Sequence, residues 1–431
     1  LLVGTVAAAE GSPPPPWRDI EAGAFRLDFG AGLRVRYELE DNKSAKGYAP
    51  GVRDGYLLER LMLEGTVRIE DGPKLFVQLR DARPFGTNLK DDDFTKSNPY
   101  HDPLDIRQAY VAWKEIGGTP LGLRVGRQSI SYGDQRVFGP GQWGNTGRYA
   151  WDAAILKVDT RWYSADAWVG KRIENRPDRW PNPRAEGPTV AVAYLALKNL
   201  PFRLDLLEAT KLDQSGKVEG ESGTGNLRSF SVGAQLEGVA WERFDYGATW
   251  VSQFGDHGTD RIRAYGWNGK VGVRVPAPWD PRIMGQVTFG SGDRDPTDGV
   301  HGTFDGVLGG ADIAFYGFTN VMYWPNLLDR ELTLGLSPHA RVEIELGAHL
   351  ASLASARDAW YSTGMQAQRR DPSGASGTDL GRELDAKVLW QGWDGGEVLF
   401  AAGQFFPGSF VRSTGSAPPV RWLALQVAQE I

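Results

Sequence analysis

Residues 25–40 read Phe25-Arg26-Leu27-Asp28-Phe29-Gly30-Ala31-Gly32-Leu33-Arg34-Val35-Arg36-Tyr37-Glu38-Leu39-Glu40. Phe25, Leu27, Phe29, Leu33, Val35, Tyr37 and Leu39 share one parity, and Arg26, Asp28, Arg34, Arg36, Glu38 and Glu40 the other. Successive side chains of a strand point to opposite faces, so this stretch is a strand with one apolar face and one face carrying charges of both signs. One such strand suits a soluble sandwich as well as a membrane barrel. Its recurrence decides between them: Leu57, Leu61, Leu63, Val67 and Ile69 stand against Arg60, Glu64, Thr66, Arg68 and Glu70, and Leu75, Val77 and Leu79 against Lys74, Gln78 and Arg80.

Segments with this periodicity and turn residues between them fall at 24–40, 55–71, 73–83, 104–116, 120–132, 149–160, 161–174, 188–199 and 201–213. They continue at 226–238, 241–254, 263–275, 281–292, 327–337, 339–354, 379–391, 396–406 and 419–431. That makes about eighteen, each meeting the roughly 9 to 11 residues a tilted membrane strand needs. The connections alternate in length. Short ones include Asp71-Gly72, 117–120, 198–201, 276–280, Ser337-Pro338 and 392–395; long ones include 41–54, 84–103, 133–148, 175–187, 214–225, 292–326, 355–378 and 407–418. Short turns on one side and long loops on the other are the pattern of an up-and-down outer-membrane β-barrel, all-β and antiparallel, with both termini in the periplasm.

Composition agrees. The 431 residues include 55 Gly, 16 Trp, 14 Tyr and 18 Phe, a mixture suited to many turns and to aromatic girdles. No run of about 18 apolar residues is present, so no transmembrane helix is expected. The net charge of −6 gives no basis for a nucleic-acid partner, and the absence of cysteine removes disulfides and thiolate chemistry. Residues 1–9, Leu1-Leu2-Val3-Gly4-Thr5-Val6-Ala7-Ala8-Ala9, read as the end of a signal peptide, and 10–23, with Pro13 to Pro16, as an extended Pro-rich lead-in to a barrel domain at 24–431. The closing segment, Arg421 to Ile431, alternates to an apolar terminal residue and resembles the C-terminal signal by which outer-membrane barrels are assembled.

One stretch stands apart: Gly126-Arg127-Gln128, then Tyr132-Gly133-Asp134-Gln135-Arg136. With Trp143-Gly144-Asn145-Thr146-Gly147-Arg148, Gly290-Ser291-Gly292-Asp293-Arg294-Asp295, His301-Gly302-Thr303-Phe304-Asp305, Arg357-Asp358-Ala359-Trp360-Tyr361, Gly381-Arg382-Glu383-Leu384-Asp385 and Phe405-Phe406-Pro407-Gly408, it resembles the alginate export family over nearly the whole chain. The resemblance implies an eighteen-stranded passive channel in the outer membrane of a Gram-negative bacterium. Its charged lumen would pass an anionic polysaccharide or related polar solute, without a cofactor, among outer-membrane lipid, lipopolysaccharide and possible periplasmic export proteins. Alternatives are a diffusion porin for small solutes and a barrel that docks a periplasmic export complex.

By parity, Arg26, Arg34, Arg36, Arg60, Arg68 and Arg80 are lumen candidates. The resemblance adds Arg107, Arg127, Asp134, Arg136, Arg148, Arg382, Glu383 and Asp385. Arginine's planar, permanently charged fork suits carboxylate ligands. Arg127, however, shares parity with Leu123 and Val125, so either a bulge intervenes or it faces outward. The competing reading of Arg127, Asp134 and Arg136 is a rim brace, with Arg136 paired to Asp134. The short turn at 392–396 and the apolar Val398-Leu399-Phe400-Ala401-Ala402 depart from the family's pattern and suggest a less gated, less anion-selective bore. Asp293, Asp295 and Asp298 are spaced like a calcium loop but lack its distal Glu; Asp91-Asp92-Asp93 reads as a solvated run. Five dispersed histidines and the lack of Gly-x-Ser-x-Gly or His-Glu-x-x-His give no catalytic constellation, so no enzyme is expected.

Overall fold

All eighteen expected segments are strands in the computed structural model, which describes residues 16–94, 96–309, 313–363 and 365–431. They are β1 (Phe25–Ser44), β2 (Gly47–Ile69), β3 (Lys74–Phe85), β4 (Asp102–Trp113), β5 (Leu121–Gln128) and β6 (Trp151–Asp159). Next come β7 (Tyr163–Arg172), β8 (Thr189–Leu197), β9 (Arg203–Gly220), β10 (Gly223–Ala240), β11 (Phe244–Gly258) and β12 (Asp260–Arg274). The last are β13 (Arg282–Gly290), β14 (Leu327–His339), β15 (Val342–Leu353), β16 (Asp379–Trp393), β17 (Gly396–Pro407) and β18 (Val420–Glu430). Each pairs antiparallel with its successor, and β1 pairs with β18 from Gly32↔Glu430 to Asp41↔Arg421, so the sheet closes without an edge. Closure satisfies the backbone of every strand within the wall, which a lipid environment demands. The residual signal peptide at 1–9 and most of the lead-in lie outside the described residues.

The odd residues of β1 face outward: Phe29, Leu33, Tyr37 and Leu39 are exposed, whereas Arg34, Arg36, Glu38 and Glu40 are buried. The same outward apolar belt continues through Leu61, Val125, Val271, Leu332, Leu384 and Leu425. At the short-turn end it is rimmed by exposed Trp113, Trp162, Trp241, Trp279 and Trp393, and at the other end by Phe85, Phe254 and Phe406. Two aromatic girdles around an apolar band match the two interfaces of a membrane.

Two expected loops are hairpins instead. The sequence predicts loops at 41–54 and 214–225, where apolar alternation ends, but β1 and β2 stay paired to Ser44↔Gly47 and β9 and β10 to Gly220↔Gly223. Beyond the apolar band both faces of a strand are free to be polar, so the ladder continues where the hydrophobic signal stops. The remaining long connections do not simply cap the barrel. Residues 129–150, 291–309 and 313–326 fold into the bore, where Phe138 bridges Leu308, and join Trp151, Trp168, Val192, Leu207 and Val251 of the inner wall in a buried apolar cluster with Tyr316, Trp324 and Trp360. The inner wall is thus charged on β1–β4 and apolar where the loops lie on β6–β12.

Candidate translocation site

The charged inner wall holds the inward loop through its carbonyls. Arg34 donates from Nη1 to the Gln142 carbonyl at 3.1 Å and from Nη2 to those of Trp143 and Gly144 at 3.3 and 3.4 Å. Arg60 reaches the Gln142 carbonyl at 3.2 Å, Arg80 donates to that of Thr146, and Arg107 to that of Tyr149 at 3.1 Å. Arg80 is also paired with the buried Asp102. Arg107 reaches inward by a bulge: Gln108 pairs with Gln78 and Ile106 with Leu79, leaving Arg107 as the extra residue. A classic device for re-aiming a side chain thereby puts both Arg107 and Gln108 on the inner face. Asn145 completes the clamp, donating to the Glu59 and Tyr100 carbonyls, each at 3.0 Å. Hydrogen bonds from charged donors contribute about 1.5–3 kcal/mol each, so this row fixes the segment 142–149 firmly.

The other sequence candidates are placed as follows. Arg26 and Arg68 lie at the short-turn mouth, half-exposed, paired with Asp19 at 3.0 and 3.2 Å; Arg68 also meets Asp28 at 2.9 Å. Arg127 keeps the outward parity of Leu123 and Val125 with no register shift in β5, and braces the rim through Asp152 (3.0 Å) and the Asn182 carbonyl (2.8 Å). Arg136 is buried deep in the inward loop, 3.7 Å from Asp134, 3.2 Å from Gln286 Oε1, and 4.6 Å over the Phe315 ring. A rim brace therefore describes Arg127, whereas the Arg136–Asp134 pair lies within the inward loop, held to the inner wall through Gln286 and Gln235. Arg382 is on the outer wall, against the expectation: it opposes the exposed Leu350 and Phe406, and shares parity with Leu384 and Trp390. Glu383 and Asp385 face inward and hold the loop at Thr319 and Phe318. Asp293, Asp295 and Asp298 do not assemble as metal ligands among the described residues; Asp295 and Asp298 cap their own turns through Thr297 and Val300, and Asp293 accepts from the Asp295 amide. Asp91 and Asp93 are engaged too, by Asn98 and by the Lys90 amide.

Between the clamp and the rim lies a cavity of about 610 Å³. Arg36, Lys43, Lys46, Lys96, Arg148 and Arg172 line it, against the carboxylates of Glu38 and Asp93. Arg36 sits 3.9 Å under the Trp143 ring and pairs with Glu38 at 2.7 Å, and Trp422 Nε1 donates to the other Glu38 oxygen at 2.9 Å. Arg148 donates to the Thr363 carbonyl and lies over the Tyr149 and Tyr323 rings. The chamber offers cationic forks beside flat aromatic faces, which suits a ligand with both carboxylates and rings. Sequence parity would have found Arg172, two residues from Gly170 and four from the inward Trp168; Lys43, Lys46 and Lys96 lay in stretches read as loops.

The short-turn half of the bore is a ladder of compensated pairs: Lys157 with Asp166 (2.6 Å), Arg203 with Asp205 (2.7 Å), Lys270 with Glu237 (2.7 Å) and Lys387 with Glu345 (2.9 Å). In the inward loop, burial pushes the Asp305 carboxyl up, but Lys211 at 2.6 Å and Gln253 more than offset it, holding the group below the usual carboxylate range. That ionised anchor fixes the 302–309 turn to the wall.

A closed eighteen-stranded barrel with an apolar belt, two aromatic girdles and a charged bore is an outer-membrane channel. The chain belongs to the alginate export family, whose model matches residues 25–421, and is thereby a non-enzymatic channel. Solved structures share the fold at low identity. Pseudomonas aeruginosa OccK11 (OpdR) aligns with TM-score 0.59 at 12% identity over 94% of this chain and 96% of its own. Pseudomonas aeruginosa OpdQ aligns with TM-score 0.63 at 11% over 94% and 98%, and Acinetobacter baumannii OccAB4 with 0.59 at 9% over 97% and 100%. A search of curated protein sequences gave no match.

Proposed function

We propose that this channel passively carries an acidic polysaccharide, a uronate polymer or a close relative, with the long-loop end outside and both termini in the periplasm. The observation that carries the reading is the cavity in which Arg36, Lys46, Lys96, Arg148 and Arg172 surround Trp143 and Trp422. Sugar rings stack on the indoles while uronate carboxylates meet the cations, and the compensated pairs of the lower bore keep a charged chain from lodging there. In this reading Arg34, Arg60, Arg80 and Arg107 act indirectly, by fixing the loop that shapes the chamber. The apolar belt faces lipid, and lipopolysaccharide packs at the girdle of Phe85, Phe254 and Phe406.

A second reading, a selective pore for small carboxylated solutes, is favoured by the apolar loop cluster that occupies much of the bore. Single-channel recording in planar bilayers separates the two. Polymer export predicts anion preference and block by alginate that strengthens with chain length, with neutral oligosaccharides inert. Block by uronate monomers as strong as by polymer supports the small-solute pore; indifference to both defeats the assignment of the chamber.

A further inference from the structure

Four carboxylates crowd one imidazole on the inner wall where β14, β15 and β16 lie side by side. Glu331, His349 and Glu383 are direct cross-strand partners and form one row over three strands. Asp329 and Asp385, each two residues from a member of that row, flank it on the same face. His349 Nδ1 lies 2.9 Å from Asp329 Oδ2, and its Nε2 lies 3.4 Å from Asp385 Oδ2. One donor atom each from Asp329, Glu331 and His349 falls within 4.8 Å of the others.

Burial makes this arrangement costly as it stands. Asp329, His349 and Asp385 are 1%, 4% and 7% exposed, yet Asp329 Oδ1 and Asp385 Oδ1 have no hydrogen-bond partner. Glu383 is taken up by the Thr319 amide and hydroxyl at 2.7 and 2.6 Å. Arg136 is linked to the cluster through Gln286, which it contacts at 3.2 Å and which donates to Glu331 Oε2 at 2.5 Å. Buried carboxylates in such excess over cations call for a bound cation or for protons.

We propose that Asp329, Glu331 and His349 bind a divalent transition metal of the Zn²⁺ or Mn²⁺ type. Nδ1 and Asp329 Oδ2 are separated by 2.9 Å, close to the ~3.4 Å that two bonds of about 2.1 Å subtend at a tetrahedral corner, so a small side-chain rotation admits the ion. Nε2–H then donates to Asp385, giving the carboxylate–histidine–metal relay that fixes the imidazole's tautomer. A nitrogen donor beside carboxylates selects against Ca²⁺ and Mg²⁺, which take oxygen. Through Glu383 and Thr319 the ion would stiffen the wall on which residues 315–323 rest.

The test uses the full-length barrel extracted in detergent, stripped with chelator, dialysed against Zn²⁺ or Mn²⁺ and then against metal-free buffer. Metal per chain is read by plasma mass spectrometry. One equivalent retained by the wild type and by Asp91→Asn, and lost from His349→Gln and Asp329→Asn, is the expected result. Absence of stoichiometric metal in the wild type, which would mean the charge is balanced by protons, overturns the proposal, as does retention in both variants. If His349→Gln loses its β-sheet circular dichroism, the decision passes to Asp329→Asn and to Co²⁺ added to the wild type, whose visible absorption must show nitrogen–oxygen coordination.

Discussion

Replacing Arg34 by Met tests whether the charged wall is a clamp. Its guanidinium makes one strong bond, to the Gln142 carbonyl at 3.1 Å, and longer ones to the Trp143 and Gly144 carbonyls and Asn145 Oδ1 at 3.3, 3.4 and 3.4 Å. One charge-assisted bond of about 1.5–3 kcal/mol, with a further fraction from the longer ones, puts the loss at about 2–4 kcal/mol. The loss falls on the docking of 142–149 and not on the barrel, because the Arg34 backbone stays in its ladder with Arg60 and Ala428. At 1.4 kcal/mol per decade the undocked population rises about 30- to 700-fold. Single-channel recording should show added open-state noise and larger, longer conductance excursions, and protease should cut within 129–150 faster, while β-sheet content holds. Arg34→Lys, which keeps the charge and loses the fork, should fall between. Conductance and cleavage indistinguishable from wild type would refute the clamp.

Arg80→Met strands the buried Asp102 and should cost about 3–5 kcal/mol in refolding titrations, whereas Arg80→Met with Asp102→Asn recovers much of that loss. A lipid-facing Leu332→Arg should cost about 2–4 kcal/mol by the same titration if the belt is in hydrocarbon, and near zero if that face meets water. Asp305→Asn should release the 302–309 turn from Lys211; in the wild type, Asp305 has a lowered folded pKa, so its contribution is present above the ordinary Asp range and lost as pH falls through the lower folded value, and hydrogen exchange of 303–308 should quicken only in strong acid.

The outer wall was legible because lipid enforces a period of two: Leu33, Tyr37, Leu61 and Leu332 each announce their face. Inward arginines on β1–β3 followed from the same parity, and Arg382 was misplaced where family resemblance was followed although Leu384 beside it pointed outward. Inward loops left no such signal. Phe138, Tyr316 and Trp324 have no periodicity, and their burial depends on an apolar inner wall at Trp168, Val192 and Val251 that only the assembled barrel creates. The short turn at 392–396 carries no sign of the loops that enter the bore from the opposite end. Nor was the row Glu331–His349–Glu383 readable, since it requires the register across three strands, which turn geometry and barrel shear set together.

Charge reversal of Lys46, Lys96 and Arg172, three of the solvent-reaching cations of the chamber, addresses the central claim most directly. Reversal potential across a salt gradient near 0.1 M, where screening acts over about 10 Å, should move from anion toward cation preference in the triple Glu variant, and alginate block should vanish. An unchanged reversal potential with block intact would contradict the account.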